Sequence, residues 1–330
     1  MKSNTSRPSL KQVAKHAGVS HQTVSRVING ESNVSIATKN KVQKSINKLG
    51  YVRNLSAKAL ASGKFNNLGI LNLNSTLYGP TTLYTSVQKF AHEKHYNISS
   101  YHIENLSNSQ IIDGVNYLHS KGVDGILVIV PRLKVEINTK TFSHLKIPIL
   151  IRDSSELPSY LKLNHRTISS IATTYLIEHG HTKIAFIGGP ESWYDGIERL
   201  LGWKSTMKLN GLFTNRYVQG EWNAKSGYIS ARKILEKHPD TTAIYSASDI
   251  IGLGVLKYLN ENKKFKTAVI SSDEMPESAY YFPSLTTVRY DYVELARRLC
   301  NATISLVQGK ALDYYAGEID VKLLIRDSTR

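Results

Sequence analysis

Residues 9–50 read SLKQVAKHAGVSHQTVSRVINGESNVSIATKNKVQKSINKLG, and three short helices with their stops can be marked on them. Ser9 stands three residues before Gln12, the spacing of a capping box in which each side chain satisfies the other residue's backbone N–H. Leu10, Val13, Ala14 and Ala17 fall on one helical face, and Gly18 supplies the left-handed residue that ends a helix. Ser20 starts a second helix, His21 to Asn29, with Val24, Val27 and Ile28 inward. Two short helices joined by a tight glycine-containing turn make a helix-turn-helix, and small Ala14 fits where they cross closely. Ser35 caps a third helix, Ile36 to Leu49. It turns Val42, Ile46 and Leu49 inward and Lys39, Lys41, Lys44 and Lys48 outward, and it stops at Gly50.

The outward residues of the second helix are His21, Gln22, Ser25, Arg26 and Asn29. Glutamine can pair with an adenine edge, and arginine can grip guanine with two bonds. Ser20, Thr23 and the third-helix lysines can bond phosphates, which fixes register without reading bases. The charge agrees. The 330 residues hold 42 Lys and Arg against 26 Asp and Glu, and twelve of those bases with a single acid, Glu31, lie in residues 1–64. That segment carries +11, against +5 for the remaining 266 residues. A basic module joined to a nearly balanced domain predicts a polyanionic partner, here double-stranded DNA. A solvated basic tail or a three-helix protein-binding module would explain the charge or the helices, but not both.

Other classes are excluded. The longest apolar runs, such as residues 125–130, are far short of a membrane span, and the N-terminus lacks the apolar stretch of a signal peptide. A soluble cytoplasmic protein without membrane contact is expected. Cys300 is the one cysteine, and the eleven histidines show no metal-ligand spacing, so no metal or other cofactor is expected. With no phosphate loop and no G-x-S-x-G, neither is an enzyme.

Beyond residue 64, short apolar runs at 68–73, 98–103, 125–130, 147–151, 183–187, 243–247 and 268–271 alternate with helical stretches at 81–95, 109–121, 168–179, 196–210, 224–237, 250–262 and 293–307. This alternation predicts an α/β core of parallel sheets with helices on both faces, and ligands of such sheets sit at the carboxyl ends of strands. Chemistry-bearing residues cluster there. Asp153 follows PILIR, Asp273 follows AVISS, and Ser248 and Asp249 follow AIYSA. Arg199 and Trp203 lie in YDGIERLLGW, Trp222 in GEWNAKSGY, and Tyr290 and Tyr292 follow LTTVR. Carboxylates and arginine bond paired sugar hydroxyls, and an aromatic face covers the apolar side of a sugar ring. Taken singly, Asp249 reads as a helix N-cap, Trp203 as core or hinge packing, Trp193 as surface, and Asp195 as a complement to a helix dipole.

The stretch LKQVAKHAGVSHQTVSRVINGESNVSIATKNKVQKSINKLGYVRN, residues 10–54, resembles the headpiece of the LacI/GalR transcriptional repressors. The likeness continues through GHTKIAFIGGP, RLLGW, GEWNAKSG and PSLTTVRYD to about residue 328. It implies a headpiece over 1–53, a hinge over 54–64 and a two-lobed core of the type I periplasmic-binding-protein kind. One lobe would comprise 65–163 and 289–318, the other 164–288 and 319–330. It also implies base contacts from His21, Gln22 and Arg26, and backbone contacts from Ser20, Thr23, Ser25, Asn29, Ser35 and Thr38. In NLSAKALASGK it implies a hinge helix that folds on DNA, with Ala57 at the close helix contact and Leu60 wedged into the minor groove. Arg53 departs from the usual Y-x-P-N.

For the core, the likeness puts Asp153, Arg199, Trp222 and Asp273 at inducer-contacting positions and Leu77, Gly79, Pro80 and Leu163 at pocket-wall positions. Ser248 departs from a hydroxyl-binding Asn, Tyr290 departs from a Gln, and NKKFKTAVISSDE is shorter than the usual segment. The implied effector is a saccharide, with a galactoside favoured, that releases a repressor from a sugar-utilisation operon. A different sugar, or action as corepressor, is the alternative. The chain has no leucine-heptad tail after LLIRDSTR, which favours a homodimer on a pseudo-palindromic operator. A solute-binding protein shares the core, but would carry a secretion signal in place of the basic headpiece.

Overall fold

Ser9, Ser20 and Ser35 each cap a helix, as their spacing predicts. The computed structural model describes residues 8–28, 30, 33–52, 65–131, 139–313 and 315–330. In α1 (Leu10–Ala17), Ser9 Oγ accepts from the Gln12 N–H at 3.3 Å and Gln12 Oε1 accepts from the Ser9 N–H at 2.7 Å. Gly18 ends the helix at φ 62°, a conformation that costs glycine nothing. In α2 (His21–Ile28), Ser20 Oγ accepts from the Thr23 N–H at 3.1 Å. In α3 (Ile36–Leu49), Ser35 Oγ accepts from the Thr38 N–H at 3.3 Å. The helices enclose Val13, Ala14, Ala17, Val24 and Val42, with Leu10, Val27, Ile28, Ile46 and Leu49 packed around them. His16 Nδ1 lies 3.0 Å from the buried Ser45 hydroxyl and ties α1 to α3. Asn29, Arg53, Ala57 and Leu60 lie outside the described residues, as does the whole expected hinge.

The chain divides into two units between Phe65 and Asn66. Among the described residues, the second unit contains two sheets. In the first, β1 (Asn67–Leu73), β2 (Asn97–Ile103), β3 (Gly125–Val128) and β4 (Ile149–Ile151) run parallel in the order β2-β1-β3-β4, with α4 (Tyr78–Glu93) and α5 (Asn108–Ser120) between strands. The second holds β5 (Ile184–Gly188), β6 (Tyr217–Gln219), β7 (Ala243–Ser246), β8 (Ala268–Ser272), β9 (Thr286–Tyr290) and β10 (Val321–Leu324), ordered β10-β9-β8-β7-β5-β6. Its helices are α6 (His165–Glu178), α7 (Tyr194–Leu209), α8 (Ala224–Lys237) and α9 (Asp249–Glu261). Every residue of β5, β7 and β8 is buried, as expected for parallel strands covered on both faces. After β9, α10 (Tyr292–Val307) returns to pack on α4 and β3 of the first sheet, and the chain then crosses back to form β10. The result is the expected two-lobed, type I periplasmic-binding-like core. Among the described residues, no helix is long and apolar enough to cross a membrane.

The structure differs from the sequence reading in three strands and one boundary. β6, β9 and β10 are absent from the expected set. β6 has only three residues. β9 is rich in threonine, yet Thr286 and Thr287 are fully buried because their hydroxyls donate to the Arg326 carbonyl and to Asp249. β10 is antiparallel, on the sheet edge. Because β9 runs to Tyr290, the crossing back to the first lobe falls at Asp291 rather than at 289.

Candidate functional site

Two regions concentrate chemistry, one in each unit. On the headpiece, α2 exposes His21, Gln22 and Arg26, while Val24 is buried beneath them. Ser20 is exposed, and Thr23 and Ser25 are half-buried. The Ser20 and Thr23 hydroxyls are 2.9 Å apart, as are those of Ser35 and Thr38. The N-termini of α2 and α3 therefore each offer paired hydroxyls beside backbone N–H groups, a combination suited to phosphate oxygens. Lys41, Lys44 and Lys48 are exposed on α3 and Lys39 is half-buried.

In the second unit a cavity of about 260 Å³ lies between the lobes. The first lobe contributes Leu77, Tyr78, Gly79 and Pro80, at the start of α4, and Arg152, just after β4. The second lobe contributes Trp193, Asp195, Arg199, Trp222, Ser248 and Asp273, and Tyr292 closes the wall at the crossing into α10. Two glycines make room for the aromatic walls. A Cβ on Gly79 would strike the Tyr292 hydroxyl, and one on Gly189 would strike the Trp222 ring. Trp193 meets Trp222 edge-on, with ring centroids 5.8 Å apart.

Arg199 organises the polar side. It is 3% exposed, and its guanidinium donates to the Ala247 carbonyl, to the Tyr290 hydroxyl, to Asp273 Oδ1 at 3.5 Å and to His165 Nδ1 at 3.4 Å. Asp273 also accepts from the Tyr290 hydroxyl and from Tyr292 at 3.4 Å. Burial pushes both phenols up, so they stay protonated donors. Asp153 and Asp273 hold φ of 58° and 130°, a region non-glycine residues rarely occupy. Such strain gathers where a fold fixes side chains for a task.

Asp249 lies beside this network and is fully buried. It accepts from the Met275 N–H at 2.9 Å and from the Ser278 and Thr287 hydroxyls at 2.6 Å each. Burial, and then the charge of Asp273, pushes its carboxyl up to about 6 from 3.8. An acid with a raised folded pKa binds more protons folded than unfolded between those values, so stability falls as pH rises from 3.8 to about 6. Above that range the cost is complete, about 3 kcal/mol. Asp249→Asn should therefore reduce the loss of melting temperature between about pH 4 and pH 6.5. An identical pH dependence in variant and wild type would show that Asp249 is not its source.

Residues 9–54 match the bacterial regulatory proteins of the lacI family, and residues 173–329 match the periplasmic binding protein-like domain. The chain thus joins a lacI-family regulatory headpiece to a periplasmic binding protein-like domain. The lactose operon repressor of Escherichia coli (strain K12) is 27% identical to it over 308 residues, covering 92% of this chain and 86% of that one. The HTH-type transcriptional repressor PurR of Vibrio vulnificus (strain CMCP6) is 28% identical over 329 residues, covering 97% and 98%. The crystal structure of the Lac repressor dimer bound to operator and the anti-inducer ONPF superposes with a TM-score of 0.87 at 25% identity, covering 98% of this chain and 99% of that one.

Leu77, Gly79, Pro80, Arg199, Trp222, Ser248, Asp273 and Tyr292 all line the cavity. Asp153, Leu163 and Tyr290 do not. Asp153 lies behind Arg152 and pairs with it, Leu163 is in the apolar core, and Tyr290 lies under Arg199. Trp203 is core, fully buried and stacked on Phe186. Asp249 is not the cap of α9, because Ser248 is, its Oγ accepting from the Ile251 N–H at 3.5 Å. Trp193 is half-buried in the cavity wall rather than on the surface.

Asp195 does sit in the first turn of α7, but it also faces the cavity and pairs with Arg152. Although burial opposes it, His165 and Arg152 hold the Asp195 carboxyl well below the usual range. Asp153, His165 and Asp195 bring one possible metal-ligand atom each within 4.8 Å of one another. Their neighbours favour a salt-bridged cluster instead. Arg152 donates to both carboxylates and Arg199 Nε lies 3.4 Å from His165 Nδ1, so two guanidinium groups already occupy and neutralise the cluster.

Proposed function

We propose that the protein represses a sugar-utilisation operon and is released from DNA by a saccharide bound between the lobes. The cavity carries this reading. Trp193, Trp222 and Tyr292 offer aromatic faces, and Arg199, Asp195 and Asp273 offer charged groups, the mixture a ring with an apolar side and paired hydroxyls requires. A galactoside is the first choice, supported by likeness to the lactose operon repressor over most of both chains. Ser248 and Tyr290 are the substitutions that bear on a different sugar, and a corepressor would bind the same cavity with the opposite effect on DNA. A thermal-shift screen of lactose, allolactose, galactose, melibiose and raffinose tests the choice, because a ligand that binds only the folded state raises the melting temperature. Stabilisation by other sugars alone would reject the galactoside.

The DNA half of the proposal is a homodimer on a pseudo-palindromic operator. His21, Gln22 and Arg26 read bases, and Ser20, Thr23, Ser25, Asn29, Ser35 and Thr38 hold the backbone. Residues 54–64 form the hinge, with Ala57 at its helix contact and Leu60 in the minor groove. Arg26→Ala should cost about 1–3 kcal/mol on the operator and relax the choice at one base position. Equal losses on operator and random DNA, in a binding titration, would contradict the base contact.

A further inference from the structure

We propose that Arg152 and Asp195 form an interlobe clasp whose strength sets how readily the ligand-free cleft opens. The two residues come from different sheets. Arg152 continues β4 of the first lobe, where its N–H donates to the Val128 carbonyl at 2.8 Å, so strand register fixes its backbone. Asp195 lies in the first turn of α7, in the second lobe. Arg152 Nη2 donates to Asp195 Oδ2 at 3.1 Å, while its Nε donates to Asp153. The side chains are only 2% and 13% exposed, and both residues line the cavity. The pair therefore bridges the lobes in the wall of the cavity.

Burial gives the pair its leverage. A charge in a low-dielectric site is strongly unfavourable once its partner leaves, so parting the lobes requires water to reach both groups. The clasp also has a second anchor. His165, the first residue of α6, accepts at Nδ1 from Arg199 Nε at 3.4 Å, and its Nε2 faces Asp195 Oδ1 at 3.4 Å. The first is a long hydrogen bond, and the second is an ion-pair distance that is not closed as one. Nε2 and Oδ1 have no hydrogen-bond partner at present, although both are buried. A small advance of α7 toward α6 would close the contact between them. Arg199, which lines the ligand cavity, is thus connected through His165 to the clasp, and a ligand that moves Arg199 acts on the joint between the lobes.

The test uses the full chain without any ligand, so an error in the choice of saccharide does not affect its outcome. Backbone hydrogen exchange is compared in wild type, Arg152→Met, Asp195→Asn and the double variant. Each single variant should raise exchange roughly tenfold in residues 149–161 and 194–200, one segment on each lobe, and leave α1 to α3 unchanged. The double variant should be no faster than either single one, because two partners of one interaction do not add. Unchanged exchange, additive losses, or faster exchange on one lobe alone would each overturn the clasp. Asp195→Asn keeps the side-chain shape, so it separates loss of the pair from loss of the fold should Arg152→Met unfold.

Discussion

Arg199→Ala should abolish the response to saccharide and cost the core about 3–5 kcal/mol, the usual penalty for leaving one member of a buried charge pair behind. The guanidinium is the donor that the Ala247 carbonyl, Tyr290, Asp273 and His165 share. Removing it leaves Asp273 with only its tyrosine donors, in a site where burial already raises its pKa. The headpiece folds around its own apolar cluster, so α1 to α3 should survive the change. Thermal unfolding with and without saccharide should therefore show a lower transition for the core and no ligand-induced rise. A variant that keeps the full ligand-induced rise would show that Arg199 is structural only.

The second large effect is on DNA. A dimer that neutralises roughly six to ten phosphates loses about 10³–10⁵ in affinity between about 50 and 200 mM salt. The +11 of residues 1–64 and the exposed Lys41, Lys44 and Lys48 predict a slope of that size. Lys44→Ala should flatten it by about one unit per headpiece and weaken all sequences alike, in contrast to Arg26→Ala. Saccharide affinity should be nearly independent of salt, because the cavity's charges are paired and buried where screening is weak. Operator titrations across salt concentrations check the first claim and calorimetry the second. A flat operator slope would mean that the basic face does not meet phosphate.

The headpiece was legible because its signals are local. Ser9, Gln12, Gly18, Ser20, Ser35 and Gly50 each act within four residues, and the structure has every cap in place. The cavity was legible only in part, because its wall depends on the phase in which a strand ends. At the end of β4, Asp153 turns to φ 58° and Arg152, not Asp153, reaches the cavity. Adjacent strand residues point to opposite faces, so an error of one position exchanges wall for core. Asp195 and His165 are thirty residues apart, and their meeting with Arg152 depends on the packing of two lobes, which no local pattern encodes. β9 was hidden for a different reason. Its β-branched threonines suit a strand, but their hydroxyls could be buried only once Asp249 and the Arg326 carbonyl were in place to accept from them.

Saccharide in the cavity and operator on the headpiece should oppose each other within one chain. Linkage makes this a single number, the ratio of operator dissociation constants with and without saturating saccharide. Operator binding should weaken, by roughly 5- to 150-fold, with the saccharide that also raises the melting temperature. An operator affinity that stays the same, or tightens, while that saccharide is bound would contradict it.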